Sequence, residues 1–221
     1  MANEVEMIRI ETGDFRQLSD ELVDASVDLV LTDPPYPREY LPLWGDLARV
    51  AARVLRPGGF LVAYSGQMYL PEIIGMLGKH LDWYWLGGLR HGGKNGMIWP
   101  RRLRNAVKPI LVYAKRPVRK QPKCFVDLVD SAAPCKDFHV WGQNSGPVIY
   151  LAETFSNPGN LVLDPFLGGG TTALACLQTG RSCIGYEINP ATADIARARL
   201  ASAQLPLPLP VVTQEAMVLA I

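Results

Sequence analysis

The segment NLVLDPFLGGGTTALACLQTGRSCIGYEINP, residues 160–190, constrains the fold more than any other part of the chain. An apolar run of strand length ends in Asp164, a glycine cluster and a helical stretch follow, and a second apolar run ends in Glu187. Gly168, Gly170 and Ala173 fit G-x-G-x-x-A, the spacing that lets a backbone turn tightly, approach a ligand and pack its helix on a sheet. Glu187 lies seventeen residues beyond Gly170, where a carboxylate can accept both hydroxyls of a ribose. A strand, turn, helix and strand of this kind belong to a parallel sheet with a nucleoside ligand at its carboxyl edge.

The remaining chain repeats that alternation. Strands are expected at Met7–Ile10, Asp28–Thr32, Gly59–Tyr64, Trp83–Leu86, Ala106–Ala114, Asn160–Leu163 and Ser182–Tyr186. Leu43, Trp44, Leu47, Val50, Ala51, Val54 and Leu55 keep a helical period, with Pro57-Gly58-Gly59 as the stop. Pro147 opens a helix through Phe155, and Asn189-Pro190 caps a last helix through about residue 203. At 221 residues the chain fits one α/β domain, 1–221. Residues 115–143, rich in Pro and Lys, read as an inserted loop, and 205–221 as a Pro-rich tail.

The amino terminus lacks the basic and apolar regions of a signal peptide, and no apolar run approaches the ~20 residues that span a bilayer, so a cytoplasmic location is expected. Cys176 and Cys183 read as small core residues, and no cysteine spacing suggests a metal site. Eleven of the 22 Lys and Arg fall between Arg90 and Lys123, a stretch without Asp or Glu. Such a block calls for an anionic partner, and a nucleic acid backbone is the commonest one, although a solvated basic face is the bland reading. Arg90, Lys94, Arg101, Arg102 and Arg104 are the candidate phosphate contacts; Trp83, Trp85 and Trp99 read as core or strand residues, with Trp99, beside Pro100-Arg101-Arg102, the exception that could serve as a base-stacking platform.

Two chemistries compete for the glycine loop. A dinucleotide would bring a pyrophosphate against Asp164, which repels it, whereas S-adenosylmethionine brings an ammonium and a sulfonium. Thr171 and Thr172 add hydroxyls at a helix start, which suits a single carboxylate. An NAD(P)-dependent oxidoreductase is the alternative from another enzyme class, and a nucleic-acid binding module with a decayed site is a third.

The strand Asp28–Thr32 runs straight into Asp33-Pro34-Pro35-Tyr36. Both prolines fix φ, and Pro34 restricts Asp33 as well, so the segment is held extended with its carbonyls presented. A carboxylate, a rigid carbonyl and an aromatic face suit an exocyclic amine on a nucleobase. Two acceptors can hold its hydrogens and localise its lone pair, while the ring stacks on the flipped base.

VDLVLTDPPY and GNLVLDPFLGGGTTALACLQTGRSCIGYEINP, in that order, resemble the motifs of β-class amino DNA methyltransferases, in which the catalytic motif precedes the cofactor motif. ETGDF, LRPGGFLVAY and WGQNSGPVIYLAETFSNPG extend the resemblance over most of the chain. It implies a circularly permuted Rossmann-like sheet of seven strands, mostly parallel, with the last one reversed. Asp33, Pro34, Pro35 and Tyr36 become the catalytic motif. Asp164, Pro165, Phe166, Gly168, Gly170, Thr171, Thr172 and Glu187 become cofactor residues, with Asp14 and Phe15 at the adenine pocket and Asn144 and Ser145 near the carboxylate end. Gly146 stands where the family often carries Lys. The activity implied is methylation of an amino nitrogen in double-stranded DNA from S-adenosyl-L-methionine, adenine N6 favoured over cytosine N4 because the motif begins with Asp. Residues 115–143 are short for a target-recognition region. A homodimer and a restriction partner both accord with the family, as does a bacterial or phage origin on the nucleoid.

Overall fold

A computed structural model describes residues 7–90, 96–131 and 145–203. Lys94, Asn144 and the tail 205–221 lie outside the described residues. In chain order the elements are β1 (Ile8–Thr12), α1 (Phe15–Leu18), β2 (Val27–Thr32), α2 (Leu41–Val54), β3 (Leu55–Tyr64), α3 (Leu70–Leu77), β4 (Asp82–Arg90), β5 (Gly96–Ile98), β6 (Leu103–Asn105), β7 (Val107–Ala114) and β8 (Leu128–Asp130). After them come α4 (Gly146–Phe155), β9 (Leu161–Asp164), α5 (Thr171–Gln178), β10 (Ser182–Glu187) and α6 (Pro190–Ser202). Among the described residues no helix is long and apolar enough to cross a membrane.

The main sheet has the order β1-β10-β9-β2-β3-β7-β4-β8. All neighbours are parallel except β7, which runs antiparallel to both β3 and β4. Among the described residues one strand is reversed, as expected from the family resemblance, and the sheet carries eight strands where seven were expected. The addition is β8, which pairs parallel with β4 inside the stretch read as a loop. Three residues are too short to show a period, so that strand could not be told from its surroundings.

Central strands are apolar on both faces because helices cover both. Val30 of β2 with Leu61 and Ala63 of β3 pack under Trp44, Leu47, Ala51 and Val54 of α2 and Ile73 and Leu77 of α3. The alternate residues Leu29, Leu31, Phe60, Val62 and Tyr64 face Leu151 and Phe155 of α4, Ala173 and Cys176 of α5 and Ala196 of α6. Cys176 and Cys183 are both buried in this second layer. The two-residue strand period thus divides each strand between two cores, giving the Rossmann-like α/β fold.

One local expectation is corrected. Pro57-Gly58-Gly59 does not stop α2, which ends at Val54 and passes directly into β3. Leu55 already pairs with Val27, and the next matched pair is Leu29 with Phe60, so the Pro-Gly-Gly stretch is looped out as a bulge. Gly58 has φ +84 and its amide donates to Lys115 O at 2.9 Å. Trp83 and Trp85 lie on β4 as expected but are about half exposed rather than core.

Connections from β2 move one way across the sheet and those from β9 move the other. The adjacent pair β9 and β2 is therefore the topological switch point, where ligands of open α/β sheets bind beyond the strand ends. Asp33 and Asp164 sit at those two ends.

The helix after β9 depends on close approach. Gly170 has φ +82, and a Cβ there would lie 2.9 Å from the Ala196 Cβ on α6. Gly170→Ala is expected to cost about 1–3 kcal/mol, combining backbone strain with overpacking. Gly159, at φ +81 with nothing within 4 Å of the place a Cβ would take, should lose only the strain share. Denaturant unfolding of the two alanine variants separates the terms: equal losses would show that the α5–α6 contact carries no constraint.

Candidate active site

At the end of β2, Thr32 is buried, Asp33 is exposed on its edge and Pro34 is buried again. Proline can add nothing to a ladder as a donor, so the sheet stops here and the carboxylate stands clear of it. The Tyr36 hydroxyl donates to Asp33 Oδ1. Burial and, after it, the Asp33 charge push the Tyr36 hydroxyl well above its ordinary pKa, so it remains a donor. Lys108 Nζ donates to Asp33 Oδ2 at 2.5 Å. The same ammonium lies 5.0 Å from the Tyr36 ring centroid and 4.7 Å from that of Tyr64.

At the end of β9, Asp164 is 2% exposed. Its Oδ1 accepts from Thr32 Oγ1 at 2.6 Å and from the Phe166 amide at 3.1 Å, and the Thr172 side chain donates to the same carboxylate. Burial wins over these donors and raises its pKa to about 6, with the Asp33 charge adding a small upward push. The hydrogen bond from Thr32 joins the two strand ends directly.

The glycine turn is held on three sides. Leu167 N donates to Tyr186 O at 2.8 Å, Gly168 N to Glu187 Oε2 at 2.9 Å, and Arg199 Nη1 to Gly169 O at 2.5 Å. Gly168, with φ +52, and Gly170 bend the chain so that these amides and carbonyls meet their partners. Glu187 braces the glycine turn through Oε2. Its Oε1 accepts from Asn189 N at 2.8 Å, leaving each oxygen one further lone pair.

Gly13 N donates to Glu187 O at 2.9 Å, which brings the Asp14 turn beside the end of β10. Asp14 caps α1 through Arg16 N at 2.9 Å, and the Arg16 guanidinium beside it holds its carboxyl below the usual range. Phe15 is buried, its ring 4.8 Å from that of Phe166. Asn189 caps α6 as expected, accepting from Ala191 N at 2.9 Å.

A cavity of about 380 Å³ links the two strand ends. Asp33, Asp164, Phe166, Gly168, Thr171 and Thr172 line it, as do Thr32, Tyr64 and Lys108. Asp14, Phe15, Pro165, Gly170, Glu187, Tyr36 and Ser145 stand outside its lining; Ser145 is the residue before α4, whose Pro147 does line it. The sequence motifs identified neither Lys108 nor Arg199. Arg199 lies on the helix after β10, and only its place in the packed structure directs it to the glycine turn.

The basic block is more balanced than its sequence suggests. Arg90 pairs with Asp130, Lys108 with Asp33, Arg116 with Asp82 and Lys123 with Glu153. Arg90 is therefore tied to β8 through an exposed ion pair. Arg101, Arg102 and Arg104 are exposed and, among the described residues, hold no ion pair. They sit on the β5–β6 hairpin with Trp99, which is 74% exposed, and Asn105 at its base accepts from Gln67 Nε2 at 3.1 Å.

The mostly parallel sheet with its reversed strand β7 is the Rossmann-like α/β fold that solved DNA methyltransferases share. A DNA methylase family model, N6_N4_Mtase, matches residues 149–198. The type II methyltransferase M.HpaI of Haemophilus parainfluenzae is 27% identical over 82% of this chain and 70% of its own. TTHA0409 of Thermus thermophilus superposes with a TM-score of 0.73 at 25% identity, covering 90% of this chain and 96% of that one. Another structure of that protein is complexed with S-adenosyl-L-methionine. The cytosine-N4-specific PvuII DNA methyltransferase superposes with a TM-score of 0.74 at 19% identity, over 96% of this chain and 90% of its own, and shares the fold.

Asp164 has a folded pKa above its unfolded value, so the folded state binds the extra proton between about pH 4 and pH 6. Its contribution to stability is greatest below pH 4 and is lost as pH rises through about 6. Asp164→Asn should therefore melt higher than the parent at pH 8, by the equivalent of roughly 2–3 kcal/mol, with the difference vanishing near pH 4. Equal melting temperatures at both pH values would show that the buried carboxylate carries no such penalty.

Proposed function

We propose that this chain is an S-adenosyl-L-methionine-dependent DNA methyltransferase acting on the exocyclic amino group of a base flipped out of double-stranded DNA, with adenine N6 favoured. The observation that carries the reading is the shared cavity, in which the Asp33 acceptor and the Asp164 glycine turn face one another across adjacent strand ends. Its volume lies in the range of small-ligand sites. A buried carboxylate that is costly to charge favours a cationic ligand, which supports assigning the ammonium of the methionine moiety to Asp164. Thr171 offers a hydroxyl there, the Thr172 hydroxyl being engaged with Asp164, and the free lone pairs of Glu187 remain available to a ribose.

When bound, the cofactor supplies a methyl group on a sulfonium. Asp33 accepts one hydrogen of the target amine, and a rigid carbonyl such as that of Pro34 accepts the other. Those two bonds pull the nitrogen toward tetrahedral geometry and aim its lone pair at the methyl carbon. The nitrogen would take the methyl as the carbon–sulfur bond of the sulfonium breaks to leave a neutral thioether, and would shed one proton, which the Asp33 carboxylate can accept. Tyr36 supplies a stacking face that offsets part of the cost of flipping, itself a few kcal/mol. Asp at the start of the motif supports adenine, and the same geometry serves cytosine N4.

The hairpin arginines are read as phosphate contacts, and 115–143, with β8 in its described part, as the candidate for sequence reading. A homodimer, a restriction partner and a place on the bacterial or phage-infected nucleoid accord with this reading.

Transfer of a labelled methyl group to unmethylated duplex DNA, followed by nucleoside analysis, tests the proposal. N6-methyladenine is expected; N4-methylcytosine would keep the mechanism and change the base, and no labelled nucleoside would overturn it. Arg101→Ala, Arg102→Ala and Arg104→Ala should each weaken duplex binding evenly across sequences and flatten the log-log salt slope by about 1. A variant that lost one sequence preference and kept the slope would mark a base contact instead.

A further inference from the structure

Lys108 is the second residue of the reversed strand β7, opposite Leu89 of β4, and its side chain is only 18% exposed. Its ammonium rests on one carboxylate oxygen, Asp33 Oδ2 at 2.5 Å, and on two aromatic rings, Tyr36 and Tyr64, at 5.0 and 4.7 Å from their centroids. That set of partners is what the proposed reaction asks of the target base: an acceptor for an N–H and a ring face to stack on. The second oxygen of Asp33 is taken by the Tyr36 hydroxyl. An ammonium over the Tyr36 ring and a base stacked on that ring compete for one space and one acceptor.

We infer that the Lys108 ammonium is the resident occupant of the target-amine position, and that an entering base displaces it. The inference rests on the methyltransferase reading and adds a gate to it. The Asp33 side chain is 48% exposed, so its carboxylate is open to an entering hydrogen-bond partner from solvent. A base alone offers no anion to receive the departing ammonium. A nucleotide in a strand does, because its phosphodiester arrives with it, and Lys108 has the length and charge to exchange one anion for the other. The site is thereby closed to free amines and open to bases carried on a charged backbone.

The test follows the ammonium itself. In full-length protein labelled with ¹⁵N-lysine, the Lys108 Nζ resonance is identified by its loss in Lys108→Met, and the two rings should shift its protons upfield. A short mixed-sequence single strand, whose bases need no unpairing, is compared with an abasic deoxyribose-phosphate strand of equal length, binding of each being followed by anisotropy. The inference expects the base-bearing strand to move the resonance and the abasic strand to leave it in place. A base-bearing strand that binds without moving it overturns the inference and leaves the methyltransferase reading standing, as does an equal shift with both strands. Binding of neither strand overturns the inference, which needs the base to enter on a strand, and leaves the duplex reading to the methyl-transfer assay. Lys108→Met should also raise the affinity ratio of base-bearing to abasic strand by about tenfold. A ratio that falls would make Lys108 a residue that helps hold the base, contrary to the inference.

Discussion

The hydrogen bond from Thr32 Oγ1 to Asp164 Oδ1, 2.6 Å long and sealed from solvent, joins residues 132 positions apart. It exists because β2 and β9 are neighbours at the point where the sheet reverses its winding. A buried carboxylate without donors is unaffordable, so Thr32, Thr172 and the Phe166 amide must all be in place for the β9 end to pack. The two chemical motifs are thus held in register by the satisfaction of one charge.

Two carboxylates facing one cavity are handled differently. Asp164 is enclosed by hydroxyls and an amide, so a cation from outside is what its charge lacks. Asp33 stands at the rim with its own cation, Lys108, and a tyrosine hydroxyl on its other oxygen. The division of labour follows from depth: the buried acid suits binding of a cationic ligand, and the exposed one suits an exchange of hydrogen-bond partners during a reaction. Glu187 is a third case, an acid spent on bracing the glycine turn between two backbone amides while keeping lone pairs to offer.

The sheet was legible because its strands are long apolar runs flanked by turn residues, and all seven expected strands are present within a few residues of their expected ends. The α5 and α6 starts were legible through Gly170 and through Asn189-Pro190. What escaped depends on contacts across the chain. Strand β8 is three residues long, and α3, carrying Gly75, is eight residues long and without a side-chain cap. The balance of the basic block was invisible because its acids, Asp33, Asp82, Asp130 and Glu153, lie outside it in sequence. Lys108 escaped for the same reason: it lies 75 positions from Asp33, and only the reversed strand brings them together.

The separation of roles between the two acids is tested most directly by titrating S-adenosyl-L-methionine into Asp164→Asn and Asp33→Ala and assaying methyl transfer to duplex DNA with each. The account predicts that Asp164→Asn loses most cofactor affinity, while Asp33→Ala binds the cofactor as the parent does and transfers no methyl. Full transfer by Asp33→Ala, or unchanged cofactor affinity in Asp164→Asn, would contradict it.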